Sequence, residues 1–537
     1  MPNAIGLHCM SRMRELHLSG SCVTDRHLCN VGVGKCLVRL SIESCTNLTD
    51  VSLLTAVETL EEVRLDGCKN VVKGINEFGR MPYLRVLILK ETSVTDRCLR
   101  GFASSRSLVK LFIESCSQPT DVSPISAVET LEEVRLDGCK NVVKGINEFG
   151  RMPYLRVLIL REVGVTDRCL RGLSCCRSLV ELALEYCLQL TDVSPISMLE
   201  TLQKVRFDGC KNVVKGFGEL GRVPYLQTLS LNETNVDDRA LFTLRATGSL
   251  VELSLESCPQ LTDVTHLSMI DTLQKIVLEG CANVAKGVGL LGRLPALREL
   301  YAGATSIADT SISALSRSGT LTKIDVKFCQ GLTDVSPLVN MKLLEEINLE
   351  GCKNVEHGLP CLEKLNLLRV LHLTETQMTD DYLRGLCASC SIVVLDVSLC
   401  DQLVDMSPLA SIETLEVLRA NNCKSVVRGV GALGGLRALR ELGLKATMIK
   451  NKSLCGLGQS RTLVQIDLEA CERLTDVTPL SQIRTLEVVN LNGCKNVVSG
   501  LKSMAVMPRL RLLHLMDVEL GSDVLDELKS MNVWVNK

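Results

Sequence analysis

The stretch Thr59 to Pro82, TLEEVRLDGCKNVVKGINEFGRMP, contains the pattern Leu60-x-x-Val63-x-Leu65-x-x-Cys68. The same residues return unchanged at Thr130 to Pro153, and altered copies run along the whole chain. Cys68, Cys139, Cys210, Cys281, Cys352, Cys423 and Cys494 each lie 71 residues from the next. Alternation of apolar and polar residues in the first half of the stretch puts one face of a short strand inward and the other outward.

Each 71-residue unit divides into three rungs of about 24, 24 and 23 residues. After the opening stretch, the second rung reads Leu84-x-x-Leu87-x-Leu89-x-x-Thr92, followed by Val94-Thr95-Asp96. The third reads Leu108-x-x-Leu111-x-Ile113-x-x-Cys116, followed by Thr120-Asp121-Val122-Ser123-Pro124. Both are variants of the leucine-rich repeat consensus, with cysteine or threonine where asparagine often stands. About 22 rungs follow one another, and no linker or charge run interrupts them. The expectation is an α/β leucine-rich repeat solenoid, a curved horseshoe with a parallel concave sheet and short helices or 3-10 turns on the convex side. It forms one array over 1–537, with a partial repeat at 1–11 and a short tail at 533–537. One rung cannot bury its own apolar face, so stability has to come from stacking. Ser123-Pro124 reads as an N-cap followed by proline in the first helical turn. Gly74 and its six equivalents read as a bend that a Cβ would crowd.

Composition agrees with a folded chain: 46% of the 537 residues are hydrophobic and 23% charged, while aromatics make up only 3%, so Leu, Val and Ile must fill the core. The net charge of −2 gives no general pull toward nucleic acid or an anionic membrane, and nucleic-acid binding is not expected. The opening MPNAIGLHCMSRMRELHLSG lacks a continuous apolar core, so no signal peptide is read, and no apolar window is long enough for a membrane span. The 26 cysteines then read as reduced thiols of the cytoplasm or nucleus.

Fourteen of those cysteines occupy the strand-exit position of first and third rungs, which favours a structural role: a small buried thiol bonding weakly to backbone. Cys387 and Cys390 form an isolated CxxC with no second pair at zinc-finger distance. Three copies generate GxGxxG, as at Gly216 to Gly221, but several residues beyond the strand, where a dinucleotide turn does not form. The seven histidines are scattered, and no nucleophile motif appears. No catalytic, metal or cofactor site is read from the sequence.

The informative surface is the outward side of the strands. The residue after each inner L-x-L triplet of first and third rungs is Glu43, Asp66, Glu114, Asp137, Glu185, Asp208, Glu256, Glu279, Lys327, Glu350, Ser398, Asn421, Glu469 and Asn492 in turn. Ten of these fourteen are acidic, which points to a partly acidic groove that receives a basic segment of a partner protein. Arg64, Arg135, Arg206 and Arg419, two residues earlier on the same face, are expected to neutralise it in part.

The runs Ser257-Cys258-Pro259-Gln260-Leu261-Thr262-Asp263-Val264 and Cys471 to Ser481, joined to L-x-G-C-K-N-V-V-x-G, resemble the leucine-rich repeat proteins of trypanosomes, including the expression-site-associated type. The cysteine-containing rung is also similar to the repeats of F-box substrate receptors. The resemblance implies an intracellular, non-catalytic scaffold that binds protein partners on its concave face. Its alternative implication is a substrate-recognition subunit of a ubiquitin ligase. Because Met1-Pro2-Asn3 falls inside a repeat, with neither a RING nor an F-box module, a ligase role expects that module on a partner chain or upstream of Met1.

Overall fold

The computed structural model describes residues 13–20, 22–29, 31, 36–387, 391–519 and 534–536. The partial repeat at 1–11, Cys390, and residues 533 and 537 of the tail lie outside the described residues. The chain forms two compact units, Met1–Leu261 and Thr262–Lys537.

In the first unit, parallel strands run from Glu15–Ser19 to Glu252–Ser254, and each pairs with the next in sequence. The inward residues align across neighbouring strands, Leu40 with Val63, Leu87, Leu111 and Val134 in turn. In the second unit the strands run from Lys275–Val277 to Trp534–Asn536 with the same pairing, Ile276 aligning with Leu300, Ile324 and Ile347. Part of the expected tail is thus a strand, Trp534–Asn536 lying beside Leu512–His514. The fold is an α/β leucine-rich repeat solenoid.

The apolar consensus positions form the core. Leu60, Val63, Leu65 and Cys68 are fully buried, and so are their counterparts in later copies. The period is three rungs because the chain returns in three different ways. After a first rung comes a 3-10 segment such as Ile75–Arg80, after a second rung an α-helix such as Asp96–Phe102, and after a third rung a 3-10 segment such as Ser123–Ala127.

Neighbouring rungs are also joined by side chains. Asp96 opens its helix and accepts from the amide and hydroxyl of Thr120, at 2.7 Å each, and from the Asp121 amide at 3.1 Å. Burial opposes ionisation of Asp96, but the hydrogen bonds from Thr120 outweigh it and hold the carboxyl below its ordinary value. Asn70, Asn141 and Asn212 donate to the carbonyls of Thr46, Ser117 and Leu188 in the preceding rung, which accounts for the Cys-Lys-Asn signature.

The Ser-Pro reading needs correction. Ser123 is the first residue of a 3-10 segment, with no side-chain cap at Val122 before it. Asp121 supplies the missing acceptor, its Oδ1 lying 2.9 Å from the Ser123 amide. Proline still sits in the first turn, where its missing N–H costs nothing.

Gly145 shows why the glycine recurs. It is left-handed, with φ +96°, and a Cβ there would lie 2.1 Å from the Ser123 amide nitrogen of the preceding rung. The GxGxxG glycines belong to the same returns: a Cβ on Gly221 would meet Leu244 of the next helix at 3.0 Å. They serve close packing.

Gly145→Ala should therefore combine positive-φ strain with overpacking and cost on the order of 3 kcal/mol. Thermal unfolding followed by circular dichroism checks this, and an unchanged melting temperature would place the bend elsewhere.

Candidate protein-binding face

Hydrogen bonding between strands fixes which side chains share the open face. In the strand Glu62–Arg64 and its extension, Val63 and Leu65 point inward while Glu62, Arg64 and Asp66 reach the face. The sequence-derived residues of the first unit therefore do lie on one side of one sheet. Glu43, Arg64 and Glu256 are exposed there, and Asp66, Glu114, Arg135, Asp137, Glu185, Arg206 and Asp208 are half-buried.

Their electrostatics follow the three-rung rhythm, two acidic rungs and then a second rung carrying Lys90, Arg161 or Asn232. Burial raises the proton affinity of Glu114, and the adjacent Asp137 raises it further, with Lys90 and Arg135 opposing. Glu185 is raised the same way, by burial and then by Asp208, against Arg206 and Arg161. Asp66 is raised mainly by burial, and Glu43 adds to it. Burial first, and neighbouring carboxylates after it, make these members of the row reluctant to ionise.

The arginines offset the row in part, yet two of them form their closest ion pairs elsewhere. Arg64 and Arg135 turn to Glu62 and Glu133 on their own strands, at 2.6 Å each, rather than to Asp66 and Asp137. Arg135 also stacks over Phe112, 4.8 Å from the ring centroid. Arg206 does reach the row, contacting Glu185 at 3.8 Å as well as Glu181 at 3.0 Å. In the second unit the acid is largely matched: Lys327 lies 2.6 Å from Glu279, and its charge is further stabilised by Asp325 and Glu350.

Sequence reasoning missed a structural duty of the first-rung carboxylates. Asp137 Oδ1 accepts the Arg161 amide at 2.9 Å, and Asp208 Oδ1 accepts the Asn232 amide at 2.8 Å and the Ser230 hydroxyl at 2.6 Å. Asn421 and Asn492 hold the same kind of bond in later copies, to the Lys445 and Met516 amides. The signal was the interchange of Asp with Asn, which keeps the acceptor and discards the charge. Among the described residues, the third-rung glutamates Glu114 and Glu185 hold no such backbone amide, so they are the carboxylates available to a partner.

Aromatic features were missed too. Tyr83, Tyr154 and Tyr225 are exposed at one repeat's spacing and line open cavities of about 560 and 580 Å³ together with Glu61 and Glu132. The Pro-Tyr pair before three consecutive second rungs, Pro82-Tyr83, Pro153-Tyr154 and Pro224-Tyr225, was the available clue.

The strand-exit cysteines are buried, and none of the described residues forms a cluster suited to a metal ion. Among the described residues, no helix is long and apolar enough to cross a membrane.

No protein-family model matches the chain. Over 149 residues it is 34% identical to the "Putative adenylate cyclase regulatory protein" of Trypanosoma equiperdum, spanning 28% of this chain and 24% of that one. Over 441 residues it is 21% identical to the "Disease resistance protein RPP4" of Arabidopsis thaliana, spanning 82% of this chain and 33% of that one. The matches thus span about a quarter to a third of these relatives' own length. Among solved structures, the chain is similar to the one titled as a TLR13–ssRNA13 complex (TM-score 0.59, 16% identity, 97% of this chain and 79% of that one). It is also similar to the LRR ectodomain of the Arabidopsis thaliana membrane receptor kinase GASSHO1/SCHENGEN3 (TM-score 0.52, 16% identity, 97% and 68%). At such identities the likeness establishes the leucine-rich repeat fold alone.

If Asp208 serves chiefly as an amide acceptor, Asp208→Asn should leave the melting temperature unchanged. Asp208→Ala should lower stability by about 1–3 kcal/mol by orphaning the Asn232 amide. Equal effects of the two in chemical denaturation would refute that duty.

Proposed function

We propose that the chain is a non-catalytic recognition scaffold whose open face between Glu43 and Glu256 takes a basic segment of a partner protein. The observation that carries this reading is the row of half-buried carboxylates, above all Glu114 and Glu185, whose ionisation is opposed first by burial and then by repulsion from Asp137 and Asp208. A cationic side chain placed beside them relieves that repulsion, so free energy held against the unbound face becomes binding energy. Short parallel strands fix the spacing of the carboxylates, and such preorganisation lowers the ordering cost of association.

The leucine-rich repeat fold and its plant and trypanosome relatives support a role exerted by binding. The trypanosome relative is named as a regulatory protein, which agrees with such a role. Membership of the trypanosome expression-site-associated type belongs to this proposal, as does a place in the cytoplasm or nucleus. A substrate-recognition role in a ubiquitin ligase rests on repeat resemblance, and no feature of the described residues favours it over a plain scaffold.

The test is anisotropy titration of the full chain with a fluorescent Lys/Arg-rich peptide. Glu114→Gln combined with Glu185→Gln should weaken binding about tenfold, or about 1.4 kcal/mol. The pH dependence has a definite sign. Both carboxyls have raised proton affinity and bind the peptide only when ionised, so affinity should be full near neutrality and fall as pH is lowered toward their titration range. An unaltered affinity in the double variant, or a pH-independent one, would remove the acidic row from the binding face.

A further inference from the structure

A second charged surface, of opposite sign, lies in the unit Thr262–Lys537, at the edge where strands exit toward their returns. An open cavity of about 1010 Å³ is lined by Lys450, Lys452, Arg473 and Lys495, opposed by Glu472 and Glu519. Counting these six side chains gives four positive and two negative charges, a net of +2. Among the described residues, no carboxylate lies in an ion pair with any of the four cations, although lysines and arginines elsewhere in the unit, such as Lys445 and Arg511, do pair.

The sister repeats show how this charge arose. The position of Lys450 holds Thr24, Thr95, Thr166, Asp237, Ala308 or Thr379 in other copies, and that of Arg473 holds Asn47, Gln118, Gln189, Gln260, Gly331 or Gln402, none of them a cation. Asn451 stands where Asp25, Asp96, Asp167, Asp309 and Asp380 stand. Thr to Lys, Gln to Arg and Asp to Asn each add one unit of charge, so this repeat has gained three beside one cavity.

Packing does not require the exchanges. Asn451 still accepts the Thr475 amide at 3.0 Å and donates to the Thr475 hydroxyl at 2.8 Å, much as Asp96 accepts from both groups of Thr120. Lys495 has changed as well without being substituted. Its counterparts Lys69, Lys140, Lys211 and Lys353 are tied to Glu91, Glu162, Glu233 and Glu375 at 2.7–3.5 Å. The matching position in the last copy is Asp517, one methylene shorter, and Lys495 is released from that pairing.

We infer that the Lys450–Lys452–Arg473–Lys495 cavity is an anion-recognition site that docks a phosphorylated segment of a partner protein. A phosphoserine or phosphothreonine brings close to two negative charges and three strong acceptor oxygens, which matches a net +2 and the ammonium and guanidinium donors that line one cavity. The lining contains no aromatic side chain on which a nucleobase could stack, and Val498 is its one large apolar member, which argues against single-stranded nucleic acid. The site stands independently of the acidic face, because its ligand has the opposite charge and its residues lie in the other unit.

The test restores the sister-repeat residues in the full chain: Lys450→Thr, Asn451→Asp and Arg473→Gln together. Each residue already occupies its position in a folded copy, so the melting temperature should not fall, and any fall in it is read directly by thermal unfolding. The probe is a fluorescent peptide carrying two phosphoserines in a Gly-Ser-Ala background. The parent chain should bind it, more weakly as salt is raised, and the triple variant should bind at least tenfold more weakly. Equal affinity in the two proteins overturns the site, as does no binding by the parent. If the unphosphorylated peptide binds equally well, recognition of phosphate is overturned. If a single-stranded RNA oligonucleotide binds more tightly than the phosphopeptide and is lost in the same variant, the protein partner is overturned. Should the triple variant melt early, Lys452→Gln with Lys495→Gln, both on exposed positions, provides the same comparison.

Discussion

First and third rungs are each completed by the rung before, through a buried polar contact at the strand exit. The thiol of Cys139 donates to the Ile113 carbonyl at 3.1 Å, Cys210 to Leu184 at 2.8 Å, and Cys352 to Val326 at 3.1 Å. Third rungs repeat the arrangement one step on, Cys187 donating to Leu160 at 3.2 Å and Cys471 to Leu444 at 3.2 Å. Five second rungs contribute a threonine instead, which bonds within its own rung. Thr447 Oγ1 donates to the Leu444 carbonyl at 2.7 Å and lies 3.5 Å from the Cys471 sulfur. The carbonyls involved are buried and would be costly to leave unpaired. Cysteine is small enough for the space, sufficiently apolar to be buried cheaply, and still a donor. Burial pushes the thiols of Cys352, Cys423 and Cys494 up to about 12, so they remain protonated and able to donate.

That constraint accounts for both the regularity and the economy of the fold. A rung whose strand-exit group is satisfied by its predecessor has no need of its own core, which is why three-residue strands suffice. It also leaves the open face largely free of packing duties, so surface charge can vary from copy to copy. The first unit keeps an acidic row with Lys90 and Arg161 interleaved, whereas the second replaces several members with Lys327, Ser398, Asn421 and Asn492. Duplicated units thus act as internal controls for one another. A residue that changes freely between copies is released from the fold, and one that alternates between Asp and Asn is retained for its oxygen.

The fold was legible because its determinants are local and repeated. The L-x-x-L-x-L spacing specified strand, inward face and register, and the 71-residue period specified the three-rung unit. The glycine bend was legible for the same reason. What escaped were features decided by geometry between rungs. Ser123-Pro124 looks like a helix cap in one dimension, but the carboxylate of Asp121 does the capping and the segment is 3-10. Arg64 and Arg135 share a face with Asp66 and Asp137, yet the side chains of Glu62 and Glu133 are nearer and take them. Sequence alternation gave the face and could not give the partner across it. The amide-holding role of Asp137 and Asp208 was hidden because a carboxylate on an exposed face reads first as charge. The altered charge around Arg473 was visible in the residues, but only the structure gathers those positions into one cavity.

The inter-rung thiol ladder is tested most directly by timed alkylation of the native chain, read cysteine by cysteine by mass spectrometry. Exposed thiols such as Cys22, Cys29, Cys36, Cys175 and Cys455 should be modified quickly. The fourteen strand-exit thiols should stay protected and become reactive together within each unit as denaturant unfolds it. Strand-exit thiols reacting as fast as Cys175 in the native chain would contradict the account.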